Sequence, residues 1–121
     1  MRRATKKSKE KYLEHKEEAR LVIRKRAWEF SKLLKLQYNK IYIKNQKTCW
    51  GSCSSNRNLN FNYKLLFLPE NLRDYVIVHE LCHLKEMNHS QKYWDLVEAV
   101  IPNYKVLIKE LRKHERELML D

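Results

Sequence analysis

One glycine and two prolines among 121 residues leave little chain for mobile linkers or long irregular loops. No apolar run approaches the roughly 18 residues of a membrane span, so no transmembrane helix is expected. The N-terminus is basic but lacks the apolar stretch of a secretory signal, so none is expected. Cysteine is scarce and odd in number: Cys49, Cys53 and Cys82. On a common strand, Cys49 and Cys53 would lie about 13 Å apart, too far for a disulfide. Reduced thiols and the missing signal together predict a cytoplasmic protein. The length allows one domain, 1–121, with one modest core.

Acidic residues are short in one half of the chain. Residues 1–48 carry 16 lysines and arginines against 5 acids, a net charge of +11. Residues 49–121 carry 10 of each. The excess could bind nucleic acid or another polyanion, or could be a solvated helix face.

Against these absences stands one dense motif, His79-Glu80-Leu81-Cys82-His83, with His89 six residues beyond. Helical residues four apart differ by about 40° around the axis, so His79 and His83 share a face and two neutral imidazoles can grip one zinc ion. Glu80 sits about 100° further round, where it can hold and deprotonate a water that zinc activates. His89 lies past Glu86-Met87-Asn88, where the helix can end and the chain turn back. Three protein ligands with a fourth position open describe a catalytic site rather than a closed structural one. Tyr75 to Leu84 contains no charge except Glu80, as in a helix buried through a domain centre. The pattern predicts a small zinc-dependent peptidase.

Residues 1–18 are almost wholly polar and charged, and read as a frayed arm or a solvated helical extension. From Ala19 a helical stripe runs through Ile23, Ala27, Phe30, Leu34 and Gln37. Ile41-Tyr42-Ile43 reads as a first strand, Thr48 to Cys53 as a second, Ser54-Ser55-Asn56-Arg57 as a turn, and Leu59 to Leu68 as a returning strand and its exit. Pro69 opens the motif helix, with Glu70 and Asp74 near its N-terminus. Val76-Ile77-Val78 favour a strand, but the ligand geometry overrides that preference. A third helix from Ser90 to about Val100 sets Tyr93, Trp94, Val97 and Ile101 at helical spacing, which reads as core ahead of a substrate pocket. A last helix after Pro102 has the stripe Leu107, Leu111, His114 and Leu118, with His114 a packing residue. His15, among charges, reads as solvated.

Cys49-Trp50-Gly51-Ser52-Cys53-Ser54, Leu59-Asn60-Phe61-Asn62, the motif itself, and Asn88-His89-Ser90 with Tyr93-Trp94 occur in an order and spacing that resemble the minigluzincins. These are small metallopeptidases, also described as YgjP-like, of the gluzincin tribe. The likeness spans about residues 48–105. It implies zinc ligands His79, His83 and His89, and Glu80 as general base and acid. It implies an α+β fold: a small twisted, mainly antiparallel sheet packed against an N-terminal helix and the central motif helix, followed by two C-terminal helices. It further implies an edge strand that binds extended peptide or protein substrate, and latency through a C-terminal segment. Here the helix from Lys105 to Leu120 could cover the cleft in its own chain or in a homodimer partner. Relatives often carry arginine before the tryptophan, where this chain has Cys49.

An oxyanion stabiliser is expected but not identified by the residues; Tyr104 is a candidate, with capping and packing as its other reading. Asn60 and Asn62 either hydrogen-bond substrate or brace the sheet. Two other functions stay open: a DNA-associated zinc protease using the basic N-terminal half, and a nucleic-acid-binding module with structural zinc. Glu80 weighs against the module, and Cys82 comes one residue too early to serve as its fourth ligand.

Overall fold

A computed structural model describes residues 5–118, as four helices and a three-stranded sheet. Helix α1 (Lys6–Leu34) starts at Thr5, whose hydroxyl accepts the Ser8 amide at 3.0 Å. It ends at Lys35, a residue in the left-handed conformation (φ 57°). Most of the charged 1–18 segment is thus the first turns of this helix. Ala19, Ile23 and Ala27 are fully buried, with Phe30 and Leu34 packed at the edge of the core. Gln37, the last position of the expected stripe, lies beyond the helix end.

Strands β1 (Lys40–Lys44), β2 (Gly51–Cys53) and β3 (Asn58–Asn62) form a sheet ordered β1-β3-β2. The expected turn at residues 54–57 closes the β2–β3 hairpin, with the Arg57 amide bonded to the Ser54 carbonyl at 3.0 Å. The sheet is mixed rather than mainly antiparallel, because β1 runs parallel to β3 over five residue pairs. The cause is the short segment 45–50, which carries the chain past the end of β3 to the far edge. Asn62 pins that segment: its amide donates to the Gln46 carbonyl at 2.7 Å and the Cys49 carbonyl at 3.1 Å. Asn62 is fully buried and braces the sheet, while Asn60 donates to the Ser52 hydroxyl at 3.2 Å.

The returning strand is shorter than expected. The Asn62 side chain also accepts the Lys64 amide at 3.0 Å, which turns the chain into a 3-10 helix, Tyr63–Phe67, in place of further strand. Leu59, Phe61 and Tyr63 still point into the core.

Helix α2 (Glu70–Cys82) carries the motif, with Pro69 just before its first residue. Leu72, Val76, Ile77, Val78 and Leu81 are buried, so tertiary packing overrides the strand preference of the β-branched run. Arg26 of α1 forks onto Asp74 of α2 at 3.0 and 2.8 Å, fixing the two helices together. Helices α3 (Gln91–Val100) and α4 (Tyr104–Leu118) follow. Ser90 caps α3 through the Tyr93 amide. The expected end of α4 at Leu120 lies outside the described residues, as do residues 1–4.

Gly51 marks where β2 meets α2. A Cβ there would fall 2.9 Å from the Asn60 carbonyl oxygen, 3.1 Å from Glu80 Cγ and 3.2 Å from Phe61 Cδ1. Backbone oxygen cannot yield as a flexible side chain would. Gly51→Ala is expected to destabilise the protein by about 1–3 kcal/mol, the usual range for overpacking. A denaturant midpoint unchanged from the wild type would show that β2 has room to shift.

Candidate metal centre and active-site cleft

His79 projects from the last full turn of α2, and His83 caps the helix in helical conformation (φ −67°, ψ −16°). The chain then tightens into i→i+3 bonds and turns back to His89, just before α3. The candidate ligand nitrogens of His79, His83 and His89 all lie within 4.8 Å of one another. Nε2 of His79 and Nε2 of His89 are 3.4 Å apart. Two imidazole nitrogens about 2.0–2.1 Å from one tetrahedral metal would stand about 3.3 Å apart. The cluster therefore fits a metal ion.

Aromatic rings surround it. His83 stacks on Tyr93 at 4.5 Å between centroids, and His89 stacks on Trp94 at 5.6 Å. The Tyr93 hydroxyl donates to the His79 carbonyl at 2.8 Å, and Nδ1 of His83 lies 3.0 Å from the Glu86 carbonyl. The Tyr75 hydroxyl lies 3.2 Å from Nδ1 of His79. Helical spacing favours the core over a substrate pocket for Tyr93 and Trp94 and gives Tyr75 no role. Tyr93 and Val97 are buried as expected, but Trp94 is half-buried and faces the cleft. The position of Tyr75 one turn before His79 was the available signal.

Burial sets the protonation states. It holds the His79 pKa down at about 4, and the neighbouring His83 and His89 imidazoles add to the effect. His83 is also lowered, first by burial. The two imidazoles are thus neutral at pH 7, the form that binds metal. Glu80 is 6% exposed, and burial pushes its pKa up to about 8. A carboxyl in that range can both take and return a proton near neutrality.

The cluster opens into a cleft of about 420 Å³. One wall is the segment Thr48–Gly51 that leads into β2, and the floor is α2 with His79 and Glu80. The far wall is α4, through Ile108, Leu111, Arg112 and Glu115. Trp50 Nε1 donates to Glu115 Oε1 at 3.1 Å, tying the two walls together. Tyr104 stacks on Trp94 at 5.0 Å, behind the residues that line the cleft.

His114 is half-buried on α4, apart from the cluster. His15 differs from expectation: it is half-buried, with its ring edge on Phe67 at 5.0 Å. Cys49, Cys53 and Cys82 are free. Among the described residues no helix is long and apolar enough to cross a membrane.

A motif helix with a converging histidine triad, beside a sheet edge, defines a metallopeptidase. The chain matches the model of the YgjP-like metallopeptidase domain over residues 2–114 and belongs to that family. Its fold is similar to that of the metallopeptidase zymogen abylysin of Pyrococcus abyssi, with a TM-score of 0.69 at 23% identity over 76% of this chain and 93% of that one. It is also similar to the metallopeptidase zymogen jannalysin of Methanocaldococcus jannaschii, with a TM-score of 0.65 at 25% identity over 78% of this chain and 95% of that one. No curated protein matches the chain in sequence.

Proposed function

We propose that the protein is a zinc-dependent endopeptidase in which His79, His83 and His89 hold the metal and Glu80 moves the proton. The observation that carries this reading is the convergence of three imidazoles, within 4.8 Å, beside a carboxyl that burial poises near pH 8. Zinc bound there supplies Lewis acidity toward water and the scissile carbonyl. Glu80 takes a proton from the attacking water and delivers it to the leaving amine. The strand β2 lies at the sheet edge beside Glu80, so an extended peptide can pair with its free backbone groups. Side-chain selection is weak in that mode, because main-chain bonds carry the affinity.

The test is cleavage of a mixed peptide library by the zinc-loaded chain, read by mass spectrometry beside a Glu80→Gln control. Zinc-dependent products absent from the control are expected. Silence from both the wild type and a Glu115→Ala chain freed from the α4 tie, each folded and zinc-loaded, would overturn the reading.

Latency belongs to the same proposal. The two solved structures named above are zymogens, and α4 forms a cleft wall bound to the substrate-side segment through Trp50 and Glu115. Glu115→Ala, which releases that tie, is expected to cleave faster than the wild type. Equal rates would make α4 a wall and not a cover. Three free cysteines support a reducing, cytoplasmic setting.

A further inference from the structure

The three imidazoles differ in what holds the ring edge that faces away from the cluster. His83 turns Nδ1 to a backbone carbonyl, that of Glu86, at 3.0 Å. His89 is exposed and lies flat on Trp94. His79 alone among the three, within the described residues, has a side-chain partner there: the Tyr75 hydroxyl, 3.2 Å from Nδ1. The opposite nitrogen, Nε2, faces Nε2 of His89 at 3.4 Å. Tyr75 is 4% exposed and sits one turn before His79 on the same helix face, so packing fixes where its hydroxyl points.

We propose that Tyr75 is a positioning residue for metal capture, accepting the Nδ1 proton of His79 so that the Nε2 lone pair faces the cluster. The inference rests on the zinc-site reading above. A neutral imidazole carries one proton, and the bond made by one nitrogen decides which tautomer is present. An Nε2 lone pair facing the cluster requires the proton on Nδ1, and the hydroxyl, able to accept there, stabilises that tautomer and holds the ring in plane. Without it, the proton can move to Nε2 and the ring can turn about its Cα–Cβ and Cβ–Cγ bonds. Each change must be reversed before the metal binds. Outer-sphere partners of this kind typically govern about 10–100-fold in metal affinity. Among the described residues it is also the one such side-chain hydrogen bond that a substitution can remove, since the partner of His83 is main chain.

The experiment is zinc titration of the full chain, stripped of metal, against a chromophoric chelator, for wild type and Tyr75→Phe. The variant keeps the ring that meets His79 edge-on at 5.7 Å and loses only the hydroxyl. The expected result is about 10–100-fold weaker zinc binding, an altered visible spectrum when Co²⁺ replaces zinc, and an unchanged thermal midpoint of the metal-free protein. Wild-type zinc affinity with an identical Co²⁺ spectrum would overturn the proposal, and peptide cleavage would still stand. So would an affinity loss that merely tracks a lowered metal-free midpoint. A wild type that binds neither ion would overturn both this proposal and the reading beneath it.

Discussion

Glu80→Gln is expected to lower peptide cleavage by about 10²–10⁴-fold, the usual contribution of a positioned general base, while zinc stays bound. Glutamine matches glutamate in size, so the contact with β2 at Gly51 is preserved. It can neither accept nor return a proton, and both are asked of this residue in the proposed mechanism. The check is kcat on a library-derived peptide together with zinc stoichiometry; a wild-type rate would remove Glu80 from the mechanism.

The same substitution has a stability signature in the metal-free protein. The folded pKa of Glu80, about 8, lies above its ordinary 4.5, so the folded chain holds this proton to higher pH than the unfolded chain does. Stability is therefore lost as pH rises from about 4.5 to 8. His79 works in the opposite sense: its folded pKa of about 4 lies below 6.5, so stability rises between those values. The two oppose each other up to pH 6.5, and Glu80 acts without that opposition above it. The metal-free wild type is expected to lose about 2 kcal/mol between pH 6.5 and 8. Glu80→Gln should abolish that slope, and denaturant titrations at both pH values measure it directly.

His79→Ala is expected to remove zinc binding and cleavage together. The imidazole is the centre of the cluster, with the rings of Tyr75, His83, His89, Tyr93 and Trp94 within 5.1–6.3 Å of it. Losing a ligand should cost more than the roughly 10–100-fold that an outer partner commands. His114→Ala and His15→Ala, which alter histidines outside the cluster, should leave zinc affinity unchanged. One zinc bound by His79→Ala with wild-type affinity would relocate the metal site.

Two kinds of residue separate what could be read early from what could not. The motif helix was legible because the spacing of His79 and His83 fixes a shared face within one turn, whatever surrounds it. The hairpin turn and the start of α2 were legible for the same reason, being signalled by their own residues. The parallel pairing of β1 with β3 was not, since it depends on Asn62 pinning carbonyls 16 and 13 residues away. Trp94 was read as core because helical spacing gives a face but not what the face meets. It lines the cleft, with the His89 and Tyr104 rings both stacked on it.

By itself the sequence determined the candidate ligand types, their spacing, and a carboxyl one residue from the first histidine. These are local properties of a helix. Only the tertiary structure decided that His89 returns to within 3.4 Å of His79, and that β2 passes over Glu80 at a glycine. It also decided that Glu80 is buried enough to hold its proton toward neutral pH. Burial and strand order are sums over distant contacts, and no window of sequence contains them.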